Sequence, residues 1–149
     1  MQKIIIILFI IFFNLTEYSH SKDEYFRTLR NDKVNLRQGP SFDYPIKIFY
    51  KKKFLPVLVL DKSDNFREIR DHENNSGWIH VSQLSRKKAA IVVKEDSIMF
   101  KSPTIYSSPT VILKEGRLVK INKCKKTWCK VSSGEFKGWI INDNLWGLF

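Results

Sequence analysis

The stretch Gly77-Trp78-Ile79-His80-Val81-Ser82-Gln83-Leu84 returns as Gly138-Trp139-Ile140-Ile141-Asn142-Asp143-Asn144-Leu145, at a spacing of 61 residues. Upstream of each copy an aromatic and a β-branched residue stand in fixed order, Phe66-Arg67-Glu68-Ile69 and Trp128-Cys129-Lys130-Val131. Further upstream, Val34-Asn35-Leu36-Arg37-Gln38-Gly39-Pro40-Ser41 has a weaker echo in Ser97-Ile98-Met99-Phe100-Lys101-Ser102-Pro103-Thr104. A repeat near sixty residues means one supersecondary unit written twice, so the chain is read as two small domains and not as one.

Each unit reads as β. No stretch after the first twenty residues sustains apolar residues at helical spacing over three turns, whereas β-branched and aromatic residues cluster in short runs bounded by Gly, Pro, Asn, Asp and Ser. The expected strands of the first copy are 28–29, 34–38, 47–50, 55–60, 66–70 and 76–80; those of the second are 89–93, 98–101, 111–114, 117–122, 128–132 and 136–140. Five or six short strands in sixty residues favour a small barrel over an open sheet, because closure removes edges that a short sheet cannot protect. Pro56, inside the fourth run, argues for an edge or a bulge there. Leu84 and Leu145 each stand where a short 3₁₀ turn would seal one end. Arg86-Lys87-Lys88 is a short joint, which leaves the barrels little independent swing.

Residues 1–21 read as a signal peptide: Lys3, an apolar run from Ile4 to Phe13, then Ser19-His20-Ser21. The run is half of the roughly 20 residues that a membrane span needs, so no span is expected once it is cleaved. The expected domains are therefore 22–86 and 87–149, in an exported, periplasmic protein. Removing Lys3 and Glu17 leaves the net charge at +11. Outside the cytoplasm such a charge points to anionic polymers or surfaces and not to nucleic acid. The 19 Lys and 17 Ile beside two Ala are also what an AT-rich genome encodes without selection for binding. The runs at 51–53, 86–88 and 123–126 are either an anion-binding face or solvated loops that protect sheet edges.

Cys124 and Cys129 are the only cysteines. In an exported chain they are expected to bond to each other across a hairpin, whose opposed residues come within disulfide reach. The C-x-x-x-x-C spacing lacks a third ligand, so neither a metal nor a redox role is expected. Only His72 and His80 remain after residue 21, and neither sits in a nucleophile or metal pattern. His72, between Asp71 and Glu73, reads as a solvated loop residue. No glycine-rich phosphate loop or cofactor fingerprint is present, so neither catalysis nor a cofactor is expected.

Gly39 and Gly77 mark places where the chain bends sharply or another backbone comes close, and Pro40 fixes the exit from the first. Arg37 shares a strand face with Asn35, and its guanidinium is suited to holding the following turn by bonding loop carbonyls. Trp78 and Trp139 read as core aromatics of their own barrels. Phe66 and Trp128 lie off the face used by Ile69 and Val131. With Phe42, Tyr44 and Tyr50, Phe66 either lines an aromatic trough suited to sugar faces or an extended peptide, or fills the space between the barrels.

The motif Val34-Asn35-Leu36-Arg37-Gln38-Gly39-Pro40-Ser41 resembles the opening signature of bacterial SH3-like (SH3b) domains. Trp128-Cys129-Lys130-Val131, Gly138-Trp139-Ile140 and Leu145-Trp146-Gly147 resemble the second domain of exported tandem SH3-like proteins of Gram-negative bacteria. The resemblance spans roughly residues 25–149. It implies an all-β chain of two tandem SH3-like barrels, each partly open and five-stranded, of a kind that in many relatives binds cell-wall peptides or glycans and in others holds a neighbouring domain. The second copy lacks the Arg and the Gly of the signature, which makes the first the better candidate for a groove. Two functions follow as expectations: recognition of cell-wall peptidoglycan, or docking of another envelope protein.

Overall fold

The computed structural model describes residues 23–148; the proposed signal peptide lies outside them. The first copy comprises β1 (Tyr25–Leu29), β2 (Val34–Arg37), β3 (Ile46–Tyr50), β4 (Pro56–Ser63), β5 (Phe66–Arg70), β6 (Ser76–His80) and β7 (Leu84–Ser85). The second comprises β8 (Ala89–Val92), β9 (Ser97–Phe100), β10 (Pro109–Leu113), β11 (Leu118–Lys125), β12 (Trp128–Ser133), β13 (Phe136–Ile141) and β14 (Leu145–Trp146). Two 3₁₀ turns, Val81–Gln83 and Asn142–Asn144, lead into Leu84 and Leu145. The fold is all-β, as the run pattern requires, and no helix among the described residues is long and apolar enough to cross a membrane.

Both copies use one antiparallel strand order, β3-β2-β6-β5-β4-β1-β7 and β10-β9-β13-β12-β11-β8-β14. Matching irregularities occur between Val59 and Asp61 and between Ile121 and Lys123. A bulge sharpens twist and lets a long strand bend around a small core. The sequence reading of Pro56 is corrected: it is the first residue of β4, opposite Thr28, a strand position that tolerates Pro, and the bulge lies beyond it.

Alternation fills each barrel. Leu29, Val34, Leu36, Val57, Val59, Ile69 and Ile79 are sealed inside the first; Val92, Met99, Val119, Cys129, Val131 and Ile140 inside the second. Each barrel turns its corner where β6 crosses β2, or β13 crosses β9, with a single residue pair at each crossing, Arg37 with Trp78 and Phe100 with Trp139. Glycine is required there. A Cβ on Gly77 would sit 2.6 Å from the Arg37 carbonyl oxygen, and one on Gly138 2.6 Å from that of Phe100.

The copies pack on each other. Ile91 of β8 is buried in the first core and Leu118 leans on it. The Trp146 ring meets Phe26 edge-on at 4.9 Å and stands 6.1 Å from His72. His72 is therefore not a solvated loop residue; it is half-buried, and its Nδ1 is sealed without a partner among the described residues. Thr28 Oγ1 donates to the Lys87 carbonyl at 2.8 Å, holding the joint down. Lysines from two charge runs, Lys53 and Lys87, gather with Lys120 over the Phe54 ring at 5.0–5.6 Å.

Candidate functional site

The loop between β2 and β3 is built from its first residue. Arg37 Nη1 donates to the carbonyls of Phe42 at 3.1 Å and Tyr44 at 2.8 Å, and Gln38 N donates to Pro45 O at 3.0 Å. One guanidinium thus satisfies two carbonyl acceptors of the turn. Gly39 is buried beneath Tyr44, since a Cβ there would lie 2.5 Å from ring atoms. Pro40 follows, half-buried, and Asn35 donates its backbone N–H to the Gln83 side chain, tying β2 to the end of the barrel.

This pinned loop presents Phe42, 61% exposed, to solvent. Its ring lies 5.2 Å from Phe66 and 5.1 Å from His80, and those two lie 5.1 Å from each other. Phe66 and His80 are register partners on β5 and β6, so the sheet fixes two members of the triangle and the Arg37 loop supplies the third. The Arg37 guanidinium carbon also lies 5.4 Å from the centre of the Phe42 ring. The arrangement is an aromatic platform with a cation at its edge. Tyr44 is exposed alongside it.

Tyr50 does not join this group. It is buried, opposite Val34, and its hydroxyl donates to Asp71 Oδ2 at 2.8 Å. Burial raises its pKa above the ordinary tyrosine value, and the carboxylate of Asp71 adds to the rise. Trp78 is half-buried and not a core residue; with Gln38, Lys47 and Glu68 it lines a shallow pocket of about 300 Å³. Trp139 is buried, with the Lys123 ammonium 5.6 Å from the centre of its ring. Phe42 and Phe66 instead meet each other and His80 within the first copy.

The second copy has the frame without the pin. Phe100 takes the place of Arg37 and packs edge-on against Trp128 at 5.7 Å, while Ile141 replaces His80 opposite Trp128. Its loop is held by serine and threonine hydroxyls, from Ser102 N to Ser107 Oγ and from Tyr106 N to Thr104 Oγ1. Ile105 and Tyr106 project from it, 60% and 93% exposed. Sequence reasoning missed both, although the 63-residue offset between the two opening motifs carries Phe42 onto Ile105. It also missed His80. Cys124 and Cys129 are disulfide-bonded and directly opposed on β11 and β12, with Cα atoms 4.0 Å apart.

Among solved structures the chain is similar to NlpC2 from Trichomonas vaginalis, with 13% identity, 84% of this chain and 48% of that one covered and a TM-score of 0.38. It is also similar to NlpC1 from Trichomonas vaginalis, with 15% identity, coverage of 85% and 47% and a TM-score of 0.37. A NlpC/P60 family protein from Bacillus cereus ATCC 10987 gives 10% identity, coverage of 81% and 55% and a TM-score of 0.37. The chain spans about half the length of each. None of the curated proteins compared matches it. The bacterial SH3 domain family model matches twice, over residues 30–86 and 93–147, and the chain belongs to that family as a tandem pair.

Proposed function

We infer that this chain is a non-catalytic binding module of the bacterial envelope whose first copy recognises cell-wall peptidoglycan. The observation that carries the reading is Phe42, held out into solvent on a loop pinned by Arg37 and backed by Phe66 and His80. An aromatic face kept exposed by dedicated hydrogen bonds suits the apolar face of a sugar ring or an extended peptide. The net charge of +11 favours approach to anionic wall polymers. A disulfide persists in oxidising compartments, which supports an envelope or extracellular location.

Cosedimentation with purified sacculi tests this. Binding is expected to survive physiological salt and to fall at least fivefold in Phe42→Ala. Binding at low salt only would reduce the attraction to charge, and none at either salt would sink the peptidoglycan reading. A second reading, docking of an envelope protein, rests on Ile105 and Tyr106 of the second copy, and on the exposed pair Ile98 and Ile112 across β9 and β10. It predicts a discrete crosslinked partner lost in Tyr106→Ala, with no affinity for sacculi.

A further inference from the structure

At one end of the first barrel the inward-facing positions change character. β1 buries Leu29 and β5 buries Ile69 in the core. Two residues earlier on each strand, on the same face, stand Arg27 and Arg67. Arg30, just past β1, and Arg86, just past β7, complete a cleft of about 480 Å³ walled by Tyr25. No carboxylate lines it among the described residues. The chain uses 19 lysines and only seven arginines, and four of the seven meet here.

Neutral groups hold three of the four guanidiniums. Arg30 Nε donates to Leu84 O at 3.0 Å, and Arg67 Nη1 donates to Phe66 O at 2.7 Å and Asp64 O at 2.9 Å. Arg27 Nη1 donates to Phe26 O at 2.9 Å, with its guanidinium carbon 4.4 Å from the centre of the Tyr25 ring. A carbonyl fixes the position of a guanidinium and leaves its charge uncancelled. Four like charges are thus brought to one concavity.

The fold does not require them. Arg27 opposes Val57 as Ala90 opposes Val119, and Arg67 opposes Ile79 as Cys129 opposes Ile140. Arg30 follows the Leu29–Leu84 pair as Val93 follows Val92–Leu145, and Arg86 follows Ser85 as Gly147 follows Trp146. The sister barrel builds the same frame with Ala90, Val93, Cys129 and Gly147 at these positions.

We propose that this cleft binds a phosphoryl group, as a phosphomonoester or a diphosphate, carried on a larger molecule. A carboxylate brings one charge and engages one guanidinium fork, whereas a phosphoryl group brings up to two charges and oxygens in three directions, matching several forks at once. The volume falls in the range of small-molecule sites. The proposal does not rest on the peptidoglycan reading: Phe66 and Arg67 are adjacent on β5 and face opposite ways.

Titration calorimetry at physiological salt, with inorganic pyrophosphate and the protein expressed from its full sequence, tests it. Saturable binding is expected, weakened tenfold or more by Arg67→Ala and by Arg86→Ala and unchanged by Lys123→Ala on the second copy. Arg86 is exposed beyond β7, so its variant keeps the test valid even where thermal melting shows Arg67→Ala to be unfolded. Arg67→Lys keeps the charge and loses the fork, and is expected to bind more weakly than the unaltered protein. Absence of saturable binding, equal weakening by Lys123→Ala, or displacement of pyrophosphate by equimolar acetate would overturn the proposal. Phosphatidylcholine vesicles with and without phosphatidic acid separate two sources, and either result supports the cleft. Binding that requires phosphatidic acid and is competed by pyrophosphate assigns the group to a lipid headgroup; intact pyrophosphate binding without vesicle binding assigns it to a soluble molecule.

Discussion

Tyr50 shows how a single residue sets a pH limit on the fold. Its hydroxyl donates to Asp71, whose carboxylate also accepts from Glu73 N, Asn75 N and Asn75 Nδ2. The folded state raises its pKa above the unfolded value of about 10. Below about pH 10 both states keep the proton and this stabilisation is intact. Above it the unfolded chain ionises and the folded chain does not, so stability falls by up to about 1.4 kcal/mol per pH unit from this group. Denaturant midpoints measured from pH 8 to 11 should therefore decline less steeply for Tyr50→Phe, which is expected to cost about 1 kcal/mol at neutral pH. Alternation along β3 was the signal that would have placed Tyr50 inside, since Ile46, Ile48 and Tyr50 share one face of that strand. Grouping it with Phe42 and Tyr44 followed nearness in sequence and ignored that face. Arg37 was legible because a long fork of donors ahead of a Gly-Pro turn has few other uses. The four cleft arginines were not, since positions 27, 30, 67 and 86 are brought together only by pairing of β1 with β4 and β7 and of β4 with β5.

Elements carry the next level of constraint. The crossings at Gly77 and Gly138 close the two barrels, and Gly77→Ala would push a methyl into the Arg37 carbonyl. About 3 kcal/mol is expected to be lost, read from a thermal or denaturant midpoint, with no such loss for Glu115→Ala at an exposed position. The β11–β12 hairpin is clamped by its disulfide. Reduction, or Cys124→Ser with Cys129→Ser, should lower stability by about 2 kcal/mol, with Cys129 the costlier position because it is buried in the second core. The six longer strands of each copy were readable from run lengths and the repeat; their ends, their order in the sheet and the two-residue β7 and β14 were not. β4 extends to Ser63 and β11 to Lys125 because the bulge lets each bend past the core into a hairpin arm, where polar residues carry the ladder without an apolar signature.

At the scale of the molecule, two units of about sixty residues share a boundary neither can do without. A domain of that size buries only about 60% of its extended surface and is marginal alone. Ile91 within the first core, together with Phe26 against Trp146, makes the first barrel depend on the second. Calorimetry is expected to show one unfolding transition for both copies, and Trp146→Ala to lower it or split it into two. The contact also has an order in time. Phe26 leaves the ribosome some 120 residues before Trp146, so β1 must wait for β14 before this contact between the copies can form. Contacts between residues so far apart in sequence form late, so the apolar rim around Pro56, against which Gly147 comes to lie, stays open to association with other chains until β14 has been made.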